Sequence, residues 1–123
     1  MSGSQSTGSK VRVAVVGAGD FGRNHVRVFR ELENVDLAGV VDTNPERAAQ
    51  VASEFSTTAF PSLERLAGRV DAVCLAVPTA DHARIGCALL ERGIDVLVEK
   101  PMAASLAEAD ALIAAAAKRG RVL

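Results

Sequence analysis

From Val11 to Val16 the chain reads VRVAVV, apolar and β-branched almost throughout, and it runs straight into the loop GAGDFG. A strand that is apolar without alternation is buried on both faces, as in a parallel sheet covered by helices. Gly17, Gly19 and Gly22 have the GxGxxG spacing, and Val26, Phe29 and Leu32 follow at helical spacing. Between a strand and a helix, such glycines allow a tight turn, close approach of a pyrophosphate, and packing of helix on strand. Asp20 and Phe21 complete the loop at the helix N-terminus, where backbone N–H groups face an anion. Glycines also mark turns for conformational reasons alone, so the spacing takes its meaning from the elements around it.

Those elements alternate regularly along the chain. Val35 to Val41, VDLAGVV, is a second β-branched run. Asn44 and Pro45 make an N-cap with proline at the first helical position, and Ala48, Val51, Ala52 and Phe55 mark one helix face. Thr57 to Gly68 holds a few strand-like residues, Pro61, and at most a turn of helix around Leu63 to Ala67. Asp71 to Val77 is a buried strand, and Thr79 to Arg92 is a helix carrying Ile85, Leu89 and Leu90 that stops at Gly93. Asp95 to Val98 is a short strand. Ser105 and Glu108 form a capping box for a helix with Leu106, Ala109, Leu112, Ile113 and Ala116, closed by Lys118, Arg119 and Gly120. Arg121 to Leu123 opens a further strand.

Strands and helices alternating over short connections imply right-handed crossovers and a parallel sheet covered on both faces. The expected fold is α/β, a doubly wound parallel sheet of Rossmann type, strand order 3-2-1-4-5, with a truncated sixth strand. Residues 11–123 form one NAD(P)-binding domain, and residues 1–10, rich in Ser and Gly, read as a disordered leader or an expression remnant.

Asp42 ends the second strand 20 residues beyond Gly22, where a carboxylate can accept hydrogen bonds from both adenosine ribose hydroxyls, with Thr43 beside it. The same acid repels a 2'-phosphate, and Thr43, Asn44 and Pro45 supply no cation to offset it. NAD is therefore expected over NADP, and Asp42→Ala is expected to narrow the difference by about 1 kcal/mol or more. An Asx turn ahead of the helix is the alternative use of Asp42. Arg47 either lies near the adenine or solvates its helix.

Composition narrows the partners. Charge is balanced at a formal −1, aromatic residues are 3% of the chain, and Trp and Tyr are missing, which disfavours nucleic acid and anionic lipid. Cys74 and Cys87 match neither a CxxC pair nor a zinc site; they read as buried small hydrophobes in a reducing compartment, so no metal is expected. No apolar run approaches the roughly 20 residues of a membrane helix and no secretory signal precedes the first strand, so a cytoplasmic location is expected.

Two further motifs lie at the carboxyl ends of expected strands, AVPTADH from Ala76 to His82 and VEKP from Val98 to Pro101. Open α/β sheets bind their ligands at that edge. With GAGDFG these motifs make Val11 to Leu123 resemble the glucose-fructose oxidoreductase, inositol dehydrogenase and rhizopine-catabolism (Gfo/Idh/MocA) family. The resemblance implies that Lys100 is the active-site lysine near nicotinamide and substrate, that Glu99 contacts the nicotinamide-side ribose, and that Pro101 shapes the turn. It further implies that Pro78 and Thr79 lie against the nicotinamide half, with His82 beside them as a ligand contact or a structural histidine. A partly desolvated lysine there can polarise or deprotonate a reacting oxygen. A sharp turn that aims Lys100 also favours a cis bond to Pro101.

Family enzymes continue into a second α/β domain that carries the substrate pocket, and this sequence ends where the sixth strand should begin. The expected function is thus the NAD-binding part of an oxidoreductase acting on a sugar, cyclitol or related secondary alcohol, with a polyol or sugar bound only in company with a second domain. The alternatives are a dinucleotide-binding module without catalysis and, disfavoured by VEKP, a site for another nucleotide. Alone, the chain is expected to show negligible turnover and to self-associate through its incomplete edge or open face.

Overall fold

The computed structural model describes residues 10–123. The leader expected over residues 1–10 lies outside the described residues except for Lys10, an exposed residue just ahead of the first strand. The strands are β1 (Val11–Val16), β2 (Val35–Val41), β3 (Thr58–Ala59), β4 (Ala72–Leu75) and β5 (Asp95–Val98). The helices are α1 (Asp20–Glu31), α2 (Pro45–Glu54), α3 (His82–Glu91) and α4 (Leu106–Arg119). All strand pairs are parallel and the order is β3-β2-β1-β4-β5, as the alternation of elements requires.

β1 is central, and its alternate side chains feed two separate cores. Val15 packs with Val26, Val40, Val51 and Cys74 beneath α1 and α2. Ala14 and Val16 pack with Leu75, Leu89, Leu90 and Leu112 beneath α3 and α4. Burial on both faces is why VRVAVV shows no polar alternation. β5 lacks the first of these layers: Leu97, paired in register with Cys74, is 57% exposed.

Several boundaries differ from the sequence expectation for local reasons. β4 ends at Leu75; Ala76 N still donates to Val16 O at 2.8 Å, and Ala76 and Val77 then line a cleft. The helix expected from Thr79 begins at His82, after a 3-10 turn over Thr79–Asp81 that follows Pro78. Leu32 caps α1 and is 47% exposed rather than lying on its buried face. On α4 only Leu112 and Ala116 are buried, while Leu106 and Ile113 are exposed. The capping box is shifted by one residue: Ser105 Oγ accepts from Glu108 N, but Glu108 Oε1 accepts from Ala104 N. Val122 lies along β5, its carbonyl accepting from Val96 N at 2.9 Å, so the last residues begin to line the sheet edge without a strand ladder.

α2 starts as expected, with Asn44 Oδ1 accepting from the backbone N–H groups of Glu46 and Arg47 at 3.0 and 3.3 Å and Pro45 at the first position. Asn44→Ala leaves these donors to water and is expected to lower stability by about 1 kcal/mol. Urea unfolding measures this, and an unchanged midpoint would show that the cap contributes nothing.

Candidate cofactor site

The loop after β1 brings its three glycines to different tasks. Gly17 has φ +103, and a side chain there would collide with the Ala76 carbonyl. Gly22 lets α1 approach β1, because a Cβ on it would overlap the Gly17 carbonyl oxygen. Gly19 has neither constraint: its φ is −72, and a Cβ on it would meet only Arg47 Nη1 at 3.9 Å. The space above Gly19 is open at the N-terminus of α1, which has no side-chain cap. The N–H groups of Asp20, Phe21 and Gly22 in that first turn have no intrahelical acceptor, so they can receive a pyrophosphate. The residues present therefore fit a dinucleotide.

Asp42 follows β2 with its side chain 7% exposed. Its Oδ2 accepts from Ala18 N at 2.7 Å and its Oδ1 from Asn44 N at 2.8 Å. The Asx turn open to this residue is thus present, and the same carboxylate also ties β2 to the glycine loop. Each oxygen keeps a lone pair, so ribose hydroxyls remain acceptable donors. Arg47 Nη1 is 3.8 Å from Asp42 Oδ2. A cation thus stands near this acid after all, one helical turn beyond the residues adjacent to it.

Two clefts meet along the carboxyl edge of the sheet. One, of about 530 Å³, runs from Gly17 and Gly19 past Asp42, Thr43 and Arg47 to Pro78. The other, of about 520 Å³, is bounded by Phe21, Pro78, Thr79, His82, Glu99 and Lys100. They share Ala76, Val77 and Pro78, so the motifs that the sequence scatters over 85 positions form one groove. Phe21 is 79% exposed at its lip.

The Lys100–Pro101 bond is cis, as the sequence suggested. Lys100 is exposed, not partly desolvated, because it follows an edge strand that the α1 and α2 layer does not cover. His82 is 1% exposed, with Nδ1 3.0 Å from the Met102 carbonyl and Nε2 3.1 Å from the Val77 carbonyl. Backbone carbonyls thus face both ring nitrogens, while the residue also lines the second cleft. His25, which the sequence did not single out, places Nε2 2.7 Å from Glu99 Oε1. Nothing in the pattern of α1 could have paired it with a residue 74 positions away.

Cys74 lies beneath this groove, and burial, aided by the charge of Glu99, pushes its thiol up to about 11. Burial also raises Cys87. Both shifts make the thiols weaker nucleophiles than a free cysteine, Cys74 most of all. Under native conditions at pH 8, Cys74 is expected to resist a thiol-reactive dye until the protein unfolds, and rapid native labelling of Cys74 would contradict its burial.

Comparison with known proteins agrees with the geometry. The profile of the oxidoreductase family with an NAD-binding Rossmann fold, GFO_IDH_MocA, matches residues 11–123. The chain belongs to the Gfo/Idh/MocA family. Among Gfo/Idh/MocA proteins, the UDP-N-acetylglucosamine 3-dehydrogenase of Acidithiobacillus ferrooxidans is 42% identical over 113 residues, covering 92% of this chain and 36% of that protein. Its solved structure superposes with a TM-score of 0.88, covering 93% of this chain and 37% of that one. GenD2 from gentamicin A biosynthesis, solved with NAD, is 36% identical with a TM-score of 0.88 over 94% of this chain and 34% of its own. KijD10, a 3-ketoreductase from Actinomadura kijaniata solved with NADP, is 26% identical with a TM-score of 0.87 over 94% and 36%. The chain spans about a third of the length of these Gfo/Idh/MocA relatives.

Proposed function

We propose that residues 11–123 hold NAD(H) for an enzyme that moves hydride between NAD and a secondary alcohol or ketone carbon of a sugar, cyclitol or related compound. The observation that carries the proposal is the single groove in which an uncapped helix N-terminus, Asp42 and the Glu99–Lys100 pair share one edge of the sheet. Bound NAD supplies the hydride acceptor. Around it, Gly17, Gly19 and the N–H groups of Asp20, Phe21 and Gly22 hold the pyrophosphate, and Asp42 with Thr43 holds the adenosine ribose. Pro78, Thr79 and the Phe21 ring flank the nicotinamide half, and Glu99 accepts from its ribose. Lys100 Nζ holds or passes the proton of the substrate oxygen, and Pro101 sets the turn that presents it. His82 serves this site through the loops it ties rather than by touching the cofactor.

Asp42 favours NAD, and Arg47 leaves NADP as a weaker ligand. A calorimetric titration with NADH and NADPH tests the site, with NADH expected to bind more tightly; equal or stronger NADPH binding would refute the preference. Residues 11–123 by themselves supply one wall of a substrate pocket, so NADH formation with inositol, glucose and related polyols should be negligible. Turnover at ordinary enzymatic rates would refute that. The exposed Leu97 on β5 supports self-association, which light scattering over a concentration series would detect; a strictly monomeric species would exclude it. The two free thiols suit a reducing compartment, and the cytoplasm is the proposed location.

A further inference from the structure

We propose that His82 and His25, the two histidines of the chain, are positioning residues that grip opposite sides of the turn from Glu99 to Met102 and so fix Lys100 between them. The inference rests on the reading of Lys100 as a group facing cofactor and substrate, and it adds what holds that group in place.

The turn needs such anchors. β5 ends at Val98 on the edge of the described sheet, and Glu99, Lys100 and Pro101 beyond it are all exposed. A lysine has a long flexible stem, so its ammonium is pre-aimed only if the backbone beneath it is held by rigid elements. His82 supplies one anchor. It is, among the described residues, the polar one buried as a whole residue, and a backbone carbonyl oxygen faces each of its ring nitrogens. Met102 O belongs to the turn and Val77 O to the loop ahead of Pro78, so the ring fastens one wall of the groove to the other. Carbonyl oxygens only accept, and an imidazole in its neutral form carries one N–H, so the ring donates to one of the two carbonyls in either tautomer, and an apolar side chain of the same size would remove that donor. Packing alone does not require a ring with a nitrogen facing each of them.

His25 supplies the second anchor. α1 orients its ring, which stands 6.5 Å from the Phe29 ring, centroid to centroid. Nε2 reaches the Glu99 carboxylate at 2.7 Å, on the residue before Lys100. The helix that offers its N-terminus to the pyrophosphate thus also holds the acid that precedes the lysine. α3 does the same from the other flank, because His82 is its first residue.

The test uses the full chain with [methyl-13C]methionine. Met102 is one of only two methionines, so its methyl line reports the turn directly, with Met102→Leu to assign it. His82→Leu and His82→Gln are compared with His25→Leu and with His25→Gln, which keeps an N–H for Glu99. The Met102 line should move in His82→Leu, and NADH affinity read by fluorescence should fall about tenfold. His25→Leu should weaken NADH about threefold or more, and His25→Gln should stay within about twofold of wild type. His82→Gln, which keeps one donor, stands in if the leucine variant does not fold.

A role exerted through the turn has one signature that general destabilisation lacks. In a Glu99→Ala, Lys100→Ala background, the histidine replacements should change NADH affinity by less than about twofold. Losses of full size in that background, or no loss in the wild-type background, would overturn the proposal. Should the wild-type chain bind no NADH, the cofactor reading itself fails, and the Met102 line then decides alone: an unmoved line in the His82 variants overturns the inference.

Discussion

Replacing Gly19 by alanine is expected to leave the fold intact and remove most of the affinity for NADH. The φ of −72 suits any L-residue, and the added methyl meets nothing nearer than Arg47 Nη1 at 3.9 Å. Losing glycine's unfolded-state freedom stabilises by about 0.4–1 kcal/mol, while alanine in place of glycine at an N-cap costs about 0.5–1 kcal/mol, so the net change should be within about 0.5 kcal/mol. The methyl nevertheless fills the space through which a pyrophosphate must reach the first-turn N–H groups. Forfeiting one hydrogen bond to a charged group costs about 1.5–3 kcal/mol, or roughly 10- to 150-fold in affinity. Gly22→Ala is the control with the opposite profile. Its Cβ would overlap backbone, and a cost of about 3 kcal/mol exceeds the ~1 kcal/mol gained in helix propensity. Thermal melts and NADH titrations on both variants separate the two roles. Wild-type affinity in Gly19→Ala would mean that no phosphate rests on that residue.

Asp42→Ala should damage stability and binding together. The substitution removes the acceptor for Ala18 N, in a residue only 3% exposed, and the acceptor for Asn44 N, which water can replace. With one charge-assisted bond lost in a protected place and one near the surface, the expected cost is about 2–4 kcal/mol. For a domain of this size the melting temperature should then fall by about 10 °C or more. NADH should bind at least about tenfold more weakly, and NADPH should lose less, because the repulsion of its 2'-phosphate disappears with the carboxylate while Arg47 remains. Asp42→Asn keeps two acceptor lone pairs and should recover part of the stability but not the discrimination. If the gap between the two cofactors is the same in Asp42→Ala as in wild type, another residue sets the preference.

The sheet was legible because burial on both faces leaves a run such as VRVAVV with one reading, and because glycine and proline mark where each element stops. β3 was legible only as a few strand-like residues within Thr57 to Gly68, since two residues carry no period; its edge place in the order 3-2-1-4-5 was expected, but its register against Gly39 and Val40 is fixed by the fold alone. Helix faces were read too widely: Ile113 and Leu106 have the spacing of buried residues, but no element lies over them. In the site, Gly17, Gly19, Gly22, Asp42 and the Glu99–Lys100–Pro101 run were visible as spacing and strand-end position. The grip of His25 on Glu99 was not visible, nor was the double engagement of His82. Side-chain pairs between elements far apart in sequence leave no local pattern, and a lone histidine in a helix looks the same whatever its ring meets.

The central position of β1 also bears on how the protein comes off the ribosome. Among the described strands the earliest in the chain is the central one, and Val16 waits for Leu75, roughly sixty residues later, before its second edge is filled. At about 5–20 residues per second that interval is roughly 3–12 s. During it a strand with both faces apolar has only β2 beside it, so the nascent chain is a candidate for hydrophobic capture by chaperones until β4 emerges. Arrest of synthesis just before Ala72 should therefore trap a chaperone-bound species that arrest beyond Val98 releases.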